Sequence, residues 1–314
     1  FRSRYGLTPA GLRRRRGGDV RADIVELKLA YRPPLDWARL LAFLTGRGAA
    51  GVELAQDGAY LRTVALGKHR GWLRARPLAG EHALRVEISA SLLPVLTPVL
   101  ARVRRLFDLD ASPQVIEEQL ARDARLRAIV RAQPGLRVPG AFDGFELALR
   151  AVLGQQVTVK AATTLFGRIA AAYGEPAQTP FAGLKFYSPD AARIAGAGVD
   201  AIARIGMPGK RAQTIVQLAR EMQRGRLRFE DVALPAQTLE RLRGIPGIGD
   251  WTANYIAMRA LGHPDAWLHS DIGLMQALGS RKAKDILAAG EAWRPWRSYA
   301  ALHLWASLST TSGG

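Results

Sequence analysis

The residues best placed to do chemistry lie in LRGIPGIGDWTANYIAMRALG, from Leu242 to Gly262, and just beyond it. Ile245-Pro246-Gly247-Ile248-Gly249 sits between two helical patterns and reads as a tight turn whose glycines tolerate positive φ and close backbone approach. Such a turn leaves the amides of Gly247, Gly249 and the first turn of the next helix, Thr252 included, pointing outward. With the helix dipole they can hold a phosphate without reading base sequence. Further on, Trp267-Leu268-His269-Ser270-Asp271-Ile272 puts a carboxylate where another helical pattern begins. Asp271 has two readings, a helix cap after Ser270 or a carboxylate that stabilises positive charge and orients or deprotonates water.

The chain of 314 residues carries a formal charge of +18, and its pI is about 11.1. That balance favours a polyanion as partner, against the plainer reading that many arginines only solvate helix faces. Apolar residues make up 48% of the chain, an ordinary share for a soluble protein of two or three compact units. No apolar run reaches the roughly 18 residues of a membrane span, so a soluble protein without a membrane partner is expected. The absence of cysteine excludes disulfides, thiolate nucleophiles, iron-sulfur clusters and thiolate zinc sites.

Stepping along the chain, residues 1–21 form a basic segment that starts at Phe1 and includes Arg2, Arg4 and the run Arg13 to Arg16. Gly17, Gly18 and Asp19 follow the charges, where a signal peptide would turn apolar. Alternation of Val25, Leu27 and Leu29 with Glu26 and Lys28 predicts a half-buried strand ended by Pro33 and Pro34. Asp36 opens a helix with Trp37, Leu40, Leu41 and Leu44 at helical spacing. Strand-like segments follow at Tyr60 to Ala65, Gly71 to Arg76 and Leu84 to Ile88, so residues 22–106 read as a small α+β domain. A long helical run is expected from Ser91 to Phe107, and Ser112-Pro113 as cap and first turn of the next helix. Residues 107–314 read as helical throughout, with the hairpin at 239–261 and Gly and Pro as punctuation. No internal repeat is visible.

Leu-Arg-Gly-Ile-Pro-Gly-Ile-Gly followed by Trp-Thr-Ala-Asn-Tyr resembles the helix-hairpin-helix signature of base-excision DNA glycosylases, and Asp271 stands where that superfamily has an aspartate. Trp293-Arg294-Pro295-Trp296-Arg297-Ser298-Tyr299-Ala300, ending in His303 and Trp305, resembles the 3-methyladenine glycosylase II subfamily. So do Pro33-Pro34-Leu35-Asp36-Trp37, Leu106-Phe107-Asp108-Leu109, Pro134-Gly135-Leu136-Arg137 and Leu153-Gly154-Gln155, and the likeness runs over nearly the whole chain from Leu29. FRSRYGLTPAGL, Phe1 to Leu12, is similar to the last segment of an AraC-type helix-turn-helix module, which implies a regulatory domain upstream. The other reading of that fragment is a disordered basic tail.

The subfamily resemblance implies an α+β fold, with an N-terminal antiparallel β-α domain like one TATA-binding-protein repeat packed on two helical lobes and a cleft between the lobes. It implies a monomer that flips alkylated bases, such as 3-methyladenine and 7-methylguanine, out of double-stranded DNA and hydrolyses the glycosidic bond, with Asp271 as the catalytic carboxylate. Trp251, Tyr255 and Trp305 match the subfamily's pocket aromatics, where stacking favours an electron-poor base. Phe43 and Gln155 are further pocket candidates. Relatives that also cut the strand carry a lysine where this chain has Trp251, so hydrolysis without a lyase step is expected. Gln156 stands where the subfamily has an intercalating leucine, and Ile272 where it has a tyrosine; Gln156 is expected to fill the gap left by the flipped base. No cofactor is required, but the resemblance implies a monovalent cation, Na+ or K+, on the main-chain carbonyls of Arg243, Ile245 and Ile248. The competing function is DNA binding without catalysis, in a regulator whose repair domain has lost activity.

Overall fold

The computed structural model describes residues 23–230 and 235–311; the basic segment 1–21 and its helix-turn-helix resemblance lie outside the described residues. Five antiparallel strands make one sheet in the order β1-β5-β4-β3-β2. They are β1 (Ile24–Ala30), β2 (Glu53–Gln56), β3 (Ala59–Leu66), β4 (His69–Pro77) and β5 (Ala83–Ser89). β1 alternates exposed and buried along its whole length, the pattern of a strand with one covered face. Its register pairs Leu27 with Val86 and Leu29 with Leu84. The covering layer is α1 (Trp37–Gly46) and α2 (Leu96–Leu106), whose Leu40, Leu44, Val99, Leu100 and Val103 share a core with the strands. Asp36 caps α1, its carboxylate accepting from the Arg39 amide at 3.0 Å.

The remainder of the described chain is mostly helical: α3 (Pro113–Leu120), α4 (Ala124–Arg131), α5 (Gly144–Leu153), α6 (Val159–Tyr173), α7 (Ala191–Ala197), α8 (Val199–Ala203), α9 (Gly209–Gln223), α10 (Pro235–Arg243), α11 (Asp250–Ala260), α12 (Ile272–Ala277), α13 (Ala283–Glu291) and α14 (Arg297–Thr311). α5 and α11 are buried on nearly every face and form the centre of a second, larger core. Burial on nearly every face means that other elements surround both helices, and these two become the fixed frame on which the connecting loops are hung.

Four details differ from the sequence expectations. β2 was not anticipated, because ELAQ is short and lacks clear alternation. The run from Ser91 splits into a 3-10 turn, Ala90–Val95, and α2, with Pro94 inside the turn. Pro113 does open α3, but the Ser112 side chain makes no capping bond. Residues 174–190 leave the helical pattern. Pro176 and Phe186 form an antiparallel bridge, and the amides of Lys185 and Phe186 donate to the Gly51 carbonyl at 2.7 and 2.9 Å. This segment straps the helical part to the sheet domain.

A second link between the two parts is ionic and buried. Arg62 on β3 donates to Glu146 on α5 at 2.7 Å, and both side chains are under 5% exposed. Arg150, one turn later on α5, reaches Glu53 of β2 at 2.5 Å and Glu146 at 3.1 Å. Tyr60 donates its hydroxyl to Glu53. Burial alone would raise the Glu53 carboxyl, yet Arg150 and Arg62 hold it below the usual carboxylate range. Two arginines and two glutamates balance, so each member is tolerated only while the others remain. Replacing Glu146 by Leu is expected to cost about 3–5 kcal/mol in urea unfolding; an unchanged midpoint would show that water already reaches these charges.

Candidate active site

Asp271 ends the loop after α11 and caps α12. Its backbone is extended, and Oδ1 accepts from the Leu274 amide at 2.9 Å. The same oxygen accepts from the Trp305 indole N–H at 2.8 Å, and Oδ2 accepts from the Trp251 indole N–H at 2.9 Å. The cap therefore coexists with a carboxylate oriented by two indoles, the first on α11 and the second on α14. Gly273 makes this close approach feasible: a Cβ there would lie 3.0 Å from Asp271 Oδ1 and 3.1 Å from the Trp305 ring.

Asp271, Trp251, Tyr255 and Trp305 line one cavity of about 320 Å3, within the size range of small-molecule sites. Trp251 and Tyr255, one turn apart on α11, stack with centroids 5.0 Å apart and planes 8° from parallel. Phe43 does not line this cavity. It lines a neighbouring one of about 330 Å3, whose wall shares Arg47 and Trp305 with the first. Gln155 is also absent from the wall; its side-chain amide donates to the Gly247 carbonyl at 2.9 Å and to Thr252 Oγ1 at 3.0 Å. The Gln155 side chain thus ties the end of α5 to the hairpin.

The hairpin is α10, the turn Gly244 to Gly249, and α11. Gly247 has φ +90°, and a Cβ there would lie 2.1 Å from Thr214 Oγ1, so this position needs glycine twice over. Thr214 of α9 donates its hydroxyl to the Pro246 carbonyl at 2.9 Å and braces the turn from behind. Gly249 caps α11 without a side chain, which leaves the first-turn amides to other acceptors. The Thr252 side chain is buried against Gln155, so what this residue can offer a phosphate is its amide. Arg243 pairs with Asp250 at 2.9 Å and so offsets an acidic group in the first turn. Gln156 is exposed at φ +55°, in the turn between α5 and α6, beside exposed Val157 and Val159.

Three arginines of the cavity wall escaped the sequence reading: Arg47, Arg150 and Arg259. Arg259 is four residues beyond Tyr255 on α11 and donates to its hydroxyl at 2.8 Å. Its position continues the stripe Trp251, Tyr255, Arg259, which the helical period exposes once the face is known. Arg47 lies over the Phe43 ring at 3.9 Å, and its backbone carbonyl accepts from Arg150. Burial alone would raise the Tyr255 phenol, but Arg259 and Arg47 hold it below the ordinary tyrosine range.

Residues 26–143 match the family described as AlkA N-terminal domain, and residues 149–281 match the HhH-GPD superfamily base excision DNA repair protein. The chain is 39% identical over 277 residues to DNA-3-methyladenine glycosylase 2 of Escherichia coli strain K12, a match that covers 88% of this chain and 95% of that protein. The chain belongs to the DNA-3-methyladenine glycosylase 2 family. It is also 37% identical to a Mycobacterium tuberculosis protein named "Probable bifunctional transcriptional activator/DNA repair enzyme AlkA"; the match covers 96% of this chain and spans 62% of that one. Among solved structures, a 3-methyladenine DNA glycosylase from Archaeoglobus fulgidus aligns with TM-score 0.73 at 21% identity, over 88% of this chain and 96% of that one. An 8-oxoguanine glycosylase/lyase from Clostridium acetobutylicum in complex with double-stranded DNA aligns at 0.71 and 16%, over 92% and 96% of the two chains. At these identities the two structures share the fold. The α+β architecture of this glycosylase family, sheet domain first and helix-hairpin-helix part after it, is thus the architecture of this chain.

The capping role of Asp271 is separable from chemistry. Asp271→Ala should lower stability in urea by about 1–2 kcal/mol, and an unaltered midpoint would mean that α12 does not depend on its cap.

Proposed function

We propose that this glycosylase-family chain binds double-stranded DNA, flips an alkylated base into the cavity beside Asp271, and hydrolyses the glycosidic bond without cutting the strand. The observation that carries this reading is a carboxylate fixed by two indoles and a helix N-terminus at the edge of an aromatic cavity. Glycosidic cleavage builds positive charge on the sugar, and a base already cationic from alkylation leaves without a strong acid. The demand on the protein is a preorganised anion near the sugar that can also orient water. Asp271 meets it because its oxygens are held by donors that need not move during the reaction.

The DNA-facing parts follow from the same geometry. The hairpin's free amides and the dipole of α11 suit a backbone phosphate. Gln156 would fill the space vacated by the base, a role its exposure supports, and its amide can hydrogen-bond the orphaned partner. Phe43 reaches a flipped base only through the second cavity, across the Arg47 and Trp305 boundary. A Na+ or K+ ion on the carbonyls of Arg243, Ile245 and Ile248 would tie the turn to a phosphate. Neutral carbonyl oxygens suit such a hard, singly charged ion, although the Ile245 carbonyl already accepts from the Ile248 amide at 3.0 Å. Action as a monomer in the cytoplasm, where DNA is the accessible polyanion, accords with this reading.

Asp271→Asn should abolish release of 3-methyladenine from methylated duplex in single-turnover assays while duplex affinity stays nearly intact, since the grip is made away from Asp271, by the hairpin's backbone amides and the chain's cationic side chains. Equal losses of rate and affinity would sink the assignment. Affinity should also fall steeply with salt as counterions are released, and a flat salt profile would mean that the +18 charge is incidental. Trp251 cannot form an imine, so borohydride added during turnover should trap no protein-DNA adduct; an adduct that requires Asp271 would overturn hydrolysis without a lyase step.

A further inference from the structure

The cavity is electrically polar from end to end. Trp251, Tyr255 and Arg259 follow one another at four-residue steps along α11, a distance of about 12 Å from first to last at the helical rise. At the Trp251 end stands the Asp271 carboxylate. At the other end the Tyr255 hydroxyl accepts from Arg259 at 2.8 Å, and the Arg47 guanidinium lines the same wall close enough to interact with it electrostatically.

The three wall arginines are not equivalent. Arg150 is occupied by Glu53 and Glu146 and by the Arg47 carbonyl. Arg259 spends its remaining N–H groups on the carbonyls of Pro139 and Gly140, at 2.7 and 3.1 Å. Arg47 has no carboxylate paired with it among the described residues. Its guanidinium lies over the Phe43 ring, 3.9 Å from the centroid, with Tyr255 as its neighbour on the wall. A guanidinium carries five N–H donors, so Arg47 has donors to spare at the wall between the two cavities. Arg47 is half-buried, so its spare donors are left to solvent until a ligand in the cavity supplies an acceptor.

Resting on the glycosylase reading, we infer that Arg47 is a specificity-determining residue that favours flipped purines with an oxygen at position 6 over those with an amino group there. With the glycosidic nitrogen at Asp271, the pyrimidine edge of a purine lies farthest from the sugar and faces the arginine end. 7-Methylguanine presents an acceptor at that edge, O6. 3-Methyladenine presents the N6 amino group there, so a guanidinium N–H directed at position 6 would meet donor with donor, whatever the neighbouring N1 offers. Both bases are cationic, so the repulsion from Arg47 is common to the two and cancels in their ratio. The donor and acceptor pattern remains.

The test uses one substrate, duplex DNA treated with a methylating agent so that it carries both lesions, and measures the two released bases by chromatography in single turnovers. Arg47→Met keeps much of the side-chain bulk at the cavity boundary and removes the donors. The expected result is that 7-methylguanine release falls at least tenfold more than 3-methyladenine release, with Arg47→Lys, a single-point donor, falling between. An unchanged ratio of the two rates overturns the inference, whatever happens to the absolute rates, because a folding or packing defect lowers both alike. Should Arg47→Met be too slow to measure, the ratio in Arg47→Lys decides in the same way. Wild-type protein that releases neither base would instead refute the glycosylase reading itself.

Discussion

Two indole N–H groups and a helix amide converge on the carboxylate of Asp271, and the arrangement of the helical part follows from keeping them there. Trp251 belongs to α11, Trp305 to α14 and the Leu274 amide to α12, so three helices must hold register for the three bonds to exist together. The burial of α11 on nearly every face supplies the rigidity. Charge-assisted bonds of this kind are stronger than neutral ones, and their donors lie on packed elements and not on loops. A carboxylate fixed in this way gains when a cation forms beside it and pays no reorganisation cost at that moment.

The sheet domain contributes more than bulk. Arg62 and Glu53 come from its strands and Glu146 and Arg150 from α5, and the buried quartet carries the domain's position into the cavity wall. Arg150 both balances this quartet and holds the carbonyl of Arg47. The loop after α1 is thereby anchored where the Arg47 side chain can meet Tyr255. The strap at residues 174–190 secures the same interface through Gly51, two residues before Glu53.

Much of this was legible in the sequence, and the failures have physical causes. Strong periodic signals such as β1, α5 and α11 stand where alternation and helical spacing put them, because burial on a defined face decides them. The IPGIG turn and Asp271 were visible because residue type alone, glycine for backbone approach and an acid before a helix, restricts what they can do. β2 was invisible because four residues carry too little pattern, and its place is fixed by pairing with β3. Gln155 was expected at the base pocket; it is hydrogen-bonded to the hairpin, a contact between residues distant in sequence that no local spacing encodes. Arg47 and Arg259 were indistinguishable from the many surface arginines until the fold buried them beside Tyr255.

In the mechanism proposed for this chain, Asp271 acts on positive charge developing in the sugar. The most direct measurement compares the affinity of two duplexes, one carrying a pyrrolidine abasic nucleotide, whose ring nitrogen is protonated, and the other a neutral tetrahydrofuran abasic nucleotide. Wild-type protein is expected to bind the cationic duplex at least tenfold more tightly, about 1.4 kcal/mol, and this preference to vanish in Asp271→Asn. A preference that persists without the carboxylate, or none in the wild-type protein, would contradict it.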